Sequence, residues 1–249
     1  MLLRFLCFSS ALLAQDITFV TMTPKGTLTI HEGAARARRR LAPCSTFKIP
    51  NASIGLESGV IPSPTHVLQY DEKKHKTQAF WPQEWSRDQD LKNAFRVSAV
   101  WYFREIATRV GQNKMDGFLN RFQYGNKASS GWNDPFWIGS TLRISPVEQV
   151  EFLDKFFRNE FGLSPKTVAA LKDFMRQVEK DGRVLHYKTG ACTDRDAGPE
   201  VWLVGFVQNG AQRTYFAMNA GSAKMDDIFS KRVSFARERL AKLGLFPAE

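Results

Sequence analysis

Two residues three positions apart, Ser45 and Lys48, carry side chains that could act together as a nucleophile and its base. A serine at the start of a helix has a free backbone N–H, and the helix N-terminus favours developing negative charge. Residues three apart share a helix face, so we expect the Lys48 amine beside the Ser45 hydroxyl. The neighbours Phe47, Ile49 and Pro50 argue against a surface turn. Taken alone, the Ser-x-x-Lys spacing is a weak signal, because chance produces it about once in a chain of this length.

A second group that could do chemistry is Lys188-Thr189-Gly190, where a strand is predicted to end. The lysine offers a cation and the threonine a hydroxyl donor, and both suit a carboxylate. Gly190 would let a substrate approach the backbone closely. The tripeptide alone is typical of an ordinary strand exit. Its occurrence together with Ser-x-x-Lys is much more specific for an acyl-transferring serine site.

Composition and charge restrict the other classes of function. A chain of 249 residues that is 43% hydrophobic predicts one compact globular unit. The net charge is +10, but the basic residues are mixed with acids except in the run 36–40, Arg-Ala-Arg-Arg-Arg. We interpret that run as a solvated loop or strand edge. No nucleic-acid-binding motif occurs, so nucleic acid is not expected as a partner.

The cysteines and histidines do not have the spacing of metal ligands, so no metal site is expected. Cys7, Cys44 and Cys192 are also too few for a disulfide framework. A bridge between Cys44 and Cys192 stays open, because both would approach each other if both lined one site.

Residues 1–14 contain one positive charge, a short apolar run and the small residue Ala14. This pattern is typical of a minimal secretory signal and predicts a periplasmic or secreted protein. Leu12 is atypical of such a signal, and the alternative is an N-terminal helix. No other stretch approaches transmembrane length, so no integral membrane association is expected. The remaining residues, 15–249, are predicted to form a single catalytic domain.

The elements that position these groups follow a strand, helix and strand order. An α+β protein with a central antiparallel sheet, terminal helices packed on it and a helical subregion at about 60–180 is therefore expected. Predicted strands cover 17–22, 27–31, 183–189, 201–207 and 214–220, with a hairpin turn at Asn209-Gly210. Predicted helices begin at Ser45, at Ser86 or Asp88 (ending at Gly111), at Lys114, at the capping box of Ser145, at Ser164 (with Val178 on its apolar face) and at Asp226 (ending at Leu243).

With these residues in view, the sequence resembles the class D β-lactamases, the oxacillinase family of penicillin-recognising serine enzymes. The resemblance runs from about Ile17 to Leu245 and is specific, because six motifs occur in one order. They are Pro43-Cys44-Ser45-Thr46-Phe47-Lys48-Ile49-Pro50-Asn51, Ser98-Ala99-Val100, Tyr124-Gly125-Asn126, Phe136-Trp137-Ile138-Gly139, Leu142-Arg143-Ile144-Ser145 and Lys188-Thr189-Gly190.

The resemblance implies a β-lactamase/transpeptidase-like fold and hydrolysis of small-molecule β-lactams, with no metal or organic cofactor. Ser45 would be the nucleophile, and Lys48 would carry CO2 as a carbamate that acts as the general base. Val100 and Trp137 would form the pocket of this lysine, with the Trp137 indole holding the carbamate. Ser98 would relay a proton towards the lactam nitrogen.

The resemblance also implies the residues that hold the substrate. The oxyanion hole would consist of the backbone N–H groups of Ser45 and Ala191. Residues expected to contact the substrate are Lys188, Thr189, Gly190, Ala191 and Arg232, with Lys231 as the neighbouring alternative to Arg232. Ala191 is smaller than the residue that many relatives carry there, so the preferred β-lactam is left open.

Three alternative functions fit the sequence less well. The fold and motifs also occur in β-lactam sensor domains, which are acylated without turnover, and in penicillin-binding transpeptidases. A basic, non-catalytic scaffold protein would be supported only by the run 36–40. The oligomeric state is left open.

Overall fold

A computed structural model describes residues 17–77, 81–130, 135–139, 141–221 and 229–248. Its centre is a six-stranded sheet with the order β2-β1-β8-β7-β6-β5, in which every neighbouring pair is antiparallel. The first strand pairs with the last, so the two ends of the chain complete the sheet together. The strands are β1 (Ile17–Met22), β2 (Leu28–Glu32), β5 (Arg176–Lys180), β6 (Arg183–Asp194), β7 (Gly198–Asn209) and β8 (Gln212–Gly221), with a separate pair formed by β3 (Val67–Leu68) and β4 (Gln89–Asp90).

The helices lie on both faces of the sheet. The described residues form α1 (Ala34–Ala37), α2 (Lys48–Glu57), α3 (Leu91–Val97), α4 (Val100–Val110), α5 (Gln112–Arg121), α6 (Pro146–Phe157), α7 (Pro165–Met175) and α8 (Arg232–Lys242).

The sheet separates two hydrophobic cores, because successive side chains of a strand point to opposite faces. On β7, Val201 and Leu203 join the smaller core, which also contains Ala236 and Leu240 of α8. Trp202 and Val204 join the larger core, which contains the buried side chains of α2 to α7. The terminal helix therefore covers one face, and the helical region covers the other.

The structure confirms the predicted fold class and several local signals. Ser145 caps α6 in a full capping box with Glu148. Strands β7 and β8 form the predicted hairpin, but Asn209 pairs with Gln212, so the loop is 210–211, one position later than predicted, with Gly210 at φ +57°. The predicted 214–220 and 226–243 elements correspond to β8 and α8. The α8 helix begins at Arg232, while 222–228 lie outside the described residues.

The single helix predicted to run from Ser86 or Asp88 to Gly111 is wrong. Asp90 caps α3, with its side chain accepting from Asn93 N, and Ser98 ends that helix in a left-handed conformation (φ +64°). A new helix, α4, starts at Val100. Ser98 and Val100 therefore do not share a helix. The Ser98 hydroxyl contacts Lys188 Nζ at 3.1 Å.

The prediction that the helix after Ser164 includes Val178 is also wrong. Helix α7 ends at Met175, because Arg176 is extended (ψ 128°) and begins β5, which pairs with β6. Likewise, Lys188-Thr189-Gly190 does not end a strand, since β6 continues to Asp194.

The basic run 36–40 is not entirely the solvated loop that we predicted. Arg36 is buried in the short helix α1 and donates to both Asn219 and Glu200. Arg38 and Arg39 are exposed, and Arg40 forms an ion pair with Glu148 at 2.6 Å.

Two further sequence predictions concern the N-terminal segment and membrane-spanning helices. The predicted secretory signal or N-terminal helix at 1–14, including Cys7, lies outside the described residues. In the part of the chain that is described, no helix is long and apolar enough to span a bilayer.

Candidate active site

Ser45 and Lys48 meet as expected. Residues Cys44–Phe47 form a 3₁₀ turn that leads directly into α2, and side chains three apart in such a turn are nearly eclipsed. The Lys48 Nζ lies 2.8 Å from Ser45 Oγ, within a hydrogen bond. Ser45 lines a large cavity, which is described below, whereas the Lys48 side chain is fully buried.

The burial of Lys48 changes its charge state. Desolvation, and next the nearby positive charge of Lys188, lowers the pKa of Lys48 well below its usual range. The Phe103 ring lies 5.2 Å from Nζ, and no carboxylate within the described residues forms an ion pair with this amine. Burial and the adjacent cation thus favour the neutral amine, the form that can accept the Ser45 proton.

Trp137 is positioned next to the nucleophile turn. Its carbonyl accepts from Cys44 N at 3.0 Å, and its ring lies 5.5 Å from that of Phe47. The indole Nε1 is buried and has no hydrogen-bond partner among the residues described. Such an unsatisfied buried donor is rare, and it marks a place where an acceptor would be stabilised.

Val100, which we expect in the Lys48 pocket, lines the cavity, and the Phe103 ring lies 5.2 Å from Lys48 Nζ. Sequence analysis missed Phe103. Its spacing of three residues from Val100 in one helix could have indicated it.

Lys188 connects its own motif, Lys-Thr-Gly, with the Ser-x-Val motif that begins at Ser98. Its Nζ donates to Ser98 Oγ at 3.1 Å and to the Thr189 carbonyl at 3.0 Å. Burial, and then the charge of Arg232, lowers the pKa of Lys188 to about 7. Near neutral pH, Lys188 would thus be present partly as the ammonium and partly as the neutral amine. A bound substrate carboxylate would favour the ammonium form.

The nucleophile turn packs directly against strand β6. A Cβ placed on Gly190 would lie 3.1 Å from Thr46 Cγ2 and 3.2 Å from Pro43 O. Gly190 thus lets the protein's own turn approach the strand closely, and it also lines the cavity. Because β5 stops pairing at His186, the described chain supplies no further strand on this side of β6. Ala191 therefore follows a segment whose free edge faces the turn carrying Ser45.

The cavity that these residues open into has a volume of about 1060 Å³. It is lined by Ser45, Ser98, Thr189, Ala191 and Arg232 among others. Lys231 is exposed and does not line it, so the geometry favours Arg232 as the candidate for binding a carboxylate. Arg232 donates to the Phe229 carbonyl and stacks on that ring at 3.8 Å.

The cavity is also strongly basic, a feature that sequence analysis did not predict. Besides Arg232, five cationic side chains line it, and no carboxylate does so among the described residues. These cations are Lys73, Lys74, Lys76, Arg96 and Arg104.

A disulfide joins Cys44 to Cys192, with a Cα–Cα distance of 5.5 Å. The bridge that the sequence left open is therefore present. It links the turn before Ser45 to the strand just after Ala191.

Comparison with known proteins agrees with this geometry. The chain matches the transpeptidase domain family of penicillin-binding proteins over residues 17–240. It is 40% identical to the β-lactamase OXA-19 of Pseudomonas aeruginosa over 187 residues, 74% of this chain and 68% of that protein. The solved structure of FUS-1 (OXA-85), a class D β-lactamase from Fusobacterium nucleatum, superposes with a TM-score of 0.84 and 30% identity, covering 92% of this chain and 93% of the other.

A penicillin receptor is similar as well. The C-terminal domain of the Bacillus licheniformis BlaR receptor has a TM-score of 0.81 and 30% identity, covering 93% and 92% of the two chains. From the family match and the extent of identity, the chain belongs to the class D β-lactamase family of serine enzymes, within the larger transpeptidase-domain group.

Proposed function

We propose that this protein hydrolyses the amide bond of β-lactams through an acyl-enzyme on Ser45. The observation that best supports it is the 2.8 Å contact between Ser45 Oγ and the buried amine of Lys48, whose pKa is lowered. A hydroxyl becomes nucleophilic when an adjacent base takes its proton.

In the proposed reaction, the proton of Ser45 passes to Lys48 while Oγ attacks the lactam carbonyl carbon. The carbonyl oxygen becomes negatively charged and accepts from the backbone N–H groups of Ser45 and Ala191. The C–N bond then breaks, and the lactam nitrogen takes a proton through Ser98, which Lys188 contacts at 3.1 Å. Water then gives a proton to the base at Lys48 and attacks the ester carbonyl carbon. The bond to Ser45 Oγ breaks, Oγ takes that proton, and the ring-opened acid leaves.

The substrate carboxylate is expected at Lys188, Thr189 and Arg232. Arg232 and Thr189 line the cavity, and Lys188 lies directly behind with its Nζ on the Thr189 carbonyl. Gly190 and Ala191 place the backbone of β6 along the bound lactam. A cation, a hydroxyl and a guanidinium together match a small anionic group.

Lys48 is proposed to work as its CO2 adduct. The residues fit this group, because the neutral amine is a nucleophile towards CO2 and the buried Trp137 Nε1 is a donor without an acceptor in the described chain. Trp137 would hold the adduct, with Val100 and Phe103 shielding it from water. The group would supply a carboxylate-like general base at Lys48 for both half-reactions.

The disulfide supports export to an oxidising compartment, as a periplasmic or secreted protein. Intact-mass measurement on the protein recovered from producing cells tests this. Cleavage after Ala14 with an intact bridge is the expected result, and a reduced protein retained in the cytoplasm would contradict it.

A second candidate function is β-lactam sensing, which the similarity to the BlaR receptor domain favours. The same site would then be acylated without rapid release. The two functions differ in the fate of the ester on Ser45.

A turnover assay with a chromogenic cephalosporin tests the proposal. We expect many product molecules per enzyme at neutral pH, whereas a stoichiometric burst that stops would favour the sensor. Ser45→Ala should prevent any covalent adduct detectable by intact mass, and Lys48→Ala should abolish turnover. Circular dichroism of both variants controls for folding.

A further inference from the structure

We propose that the Cys44–Cys192 disulfide is a positioning device for the oxyanion hole, and that catalysis depends on its oxidised form. The proposal rests on the proposed function, because it assigns the bridge to the same site. Each cysteine is the immediate chain neighbour of a residue whose backbone N–H is expected in the hole: Cys44 precedes Ser45, and Cys192 follows Ala191.

The two donors belong to segments that are far apart in the chain. The bridged cysteines are separated by 148 residues. Cys44 is in the 3₁₀ turn before α2, and Cys192 is in β6. The relative position of the donors therefore depends on how the turn docks on the strand.

Gln149 and Trp202 hold parts of the turn, at the Thr46 hydroxyl and the Ala42 carbonyl, but β6 offers no side chain at Gly190. Gly190 provides only backbone at the contact, with Thr46 N and Pro43 O both 3.2 Å from where its Cβ would be. Gly190 and Cys192 are two residues apart in one strand, so they point to the same face. Gly190 has no side chain to contact the turn. Two residues later on the same face of β6, the Cys192 disulfide supplies a covalent contact.

The turn itself needs an external constraint. Cys44 has φ +51°, a left-handed conformation that a residue with a Cβ adopts only when its surroundings hold it there. Noncovalent contacts contribute: Cys44 N donates to Trp137 O at 3.0 Å, and Ala42 N donates to Asp194 Oδ2 at 2.8 Å. The first of these contacts is made by Cys44 itself and the second by Ala42, and the disulfide adds a covalent constraint at Cys44.

Small displacements of such donors have large effects. A catalytic constellation must be held within about 0.5 Å of its productive geometry. Loss of one oxyanion-hole donor lowers kcat by about 10²- to 10³-fold. Without the bridge we expect a smaller loss, because both N–H groups persist but are no longer held at the correct separation.

The test uses the double variant Cys44→Ala/Cys192→Ala. Both this variant and the reference enzyme that keeps the bridge carry Cys7→Ala, which prevents thiol exchange. We expect kcat for a chromogenic cephalosporin to fall about tenfold or more, with KM changed by less than about threefold. The inhibition constant of a boronic acid, whose tetrahedral adduct on Ser45 mimics the transition state, should rise by a similar factor.

A control separates positioning from stability. Phe19→Leu trims a fully buried side chain on β1, which β8 and β7 separate from β6, and should lower the melting temperature without raising the boronate inhibition constant. If the double variant does not fold, the folded wild-type enzyme is reduced with a phosphine and then reoxidised. Loss and recovery of kcat, with unchanged circular dichroism, would support the proposal.

The outcomes are distinct. A lower melting temperature with wild-type kcat and boronate affinity would show that the bridge only stabilises the fold, and would overturn the proposal. If the wild-type protein is acylated without turnover, the acylation rate replaces kcat in the same comparison. If the wild-type protein is neither acylated nor bound by the boronate, both this proposal and the proposed function fail.

Discussion

Lys48 and Lys188 are two fully buried lysines whose surroundings give them different tasks. Each loses its hydration, and each has its pKa lowered by burial and by a neighbouring cation. Lys188 donates to Ser98 and to Thr189, so its ammonium form keeps hydrogen-bond partners. Lys48 has the Ser45 hydroxyl and an aromatic ring instead. The charge of Lys188 adds to the desolvation that lowers the pKa of Lys48, whereas Lys188 keeps partners that suit its ammonium form.

Trp137→Phe should weaken the CO2 adduct of Lys48 while preserving the packed ring. A hydrogen bond to a charged group contributes about 1.5–3 kcal/mol, so the bicarbonate concentration needed for half-maximal activity should rise about tenfold or more. Because protonation of the amine opposes addition of CO2, the wild-type enzyme should lose activity on mild acidification and regain it with bicarbonate. Carbon-13 NMR of protein in labelled bicarbonate gives a readout independent of turnover.

Trp101→Phe serves as the matched control. Its indole is also fully buried, but its Nε1 already donates to the Trp85 carbonyl at 2.7 Å. This variant should retain the wild-type bicarbonate dependence. A labelled carbamate signal of equal intensity in Trp137→Phe and the wild type would contradict the role given to Trp137.

The Lys188 ammonium should set the alkaline limb of substrate binding. With its pKa near 7 in the free protein, Lys188 loses its positive charge as the pH rises above 7. We therefore expect kcat/KM for a penicillin to fall between about pH 7 and 9, mainly through KM, because kcat/KM reports ionisations of the free enzyme. Stopped-assay profiles at constant ionic strength measure this. A flat profile over that range would contradict it, and Lys188→Met should remove the limb together with most of the affinity.

At the scale of helices, strands and turns, the sequence predicted those features that depend on residues close together in the chain. The capping box at Ser145, the hairpin between β7 and β8, and the apolar run of β7 all come from local chemistry. The missed features depend on partners distant in the chain. Strand β5 forms because β6 offers an open edge to residues whose helical periodicity would otherwise continue from α7.

The site shows the same division. The 3₁₀ turn brings Ser45 and Lys48 together locally, so their contact could be predicted. Ser98 adopts a left-handed conformation that no local signal specifies, and its link to Lys188 crosses 90 positions. Arg36 resembles its exposed neighbours in sequence, and only the placement of Glu200 and Asn219 on adjacent strands makes it a buried residue.

Arg36 therefore gives a prediction about how α1 is attached to the sheet. Arg36→Met would leave the fully buried Glu200 without its cation and should reduce the free energy of unfolding by about 3–5 kcal/mol. Burial raises the pKa of Glu200, and Arg36 opposes that rise. Removing Arg36 makes the folded state hold the proton more tightly than the unfolded chain, so the loss of stability should grow as the pH rises above about 4.5.

Two further variants complete that measurement by urea denaturation. Arg36→Met/Glu200→Leu should recover most of the lost stability, because no unpaired buried charge remains. Arg39→Met, three positions away on the exposed side of the same basic run, should change the free energy of unfolding by less than about 0.5 kcal/mol. Equal losses from Arg36→Met and Arg39→Met would contradict the buried pairing.

At the scale of the whole molecule, the net charge of +10 is not evenly spread. Six cationic side chains line the cavity above Ser45; Glu105 pairs with one of them, Lys74, and no carboxylate is among the described lining residues. A cleft of one sign concentrates ligands of the opposite sign and accelerates their association. We therefore expect the basic cavity to concentrate anionic β-lactams near Ser45.

Three penicillins that differ in one side-chain group measure this effect. Benzylpenicillin carries only the carboxylate of its nucleus, carbenicillin adds a second carboxylate, and ampicillin adds an amine. We expect kcat/KM to decrease in the order carbenicillin, benzylpenicillin, ampicillin at 0.01 M salt, where the Debye length is about 30 Å, and the differences to shrink at 1 M, where it is about 3 Å. Arg104→Gln, an exposed residue of the cavity lining, should lower the carbenicillin preference, whereas Arg158→Gln, which is paired with Asp154 and Glu160 and does not line the cavity, should not. An order that does not change with salt would show that the contacts of each side chain, and not the field of the cavity, decide the preference.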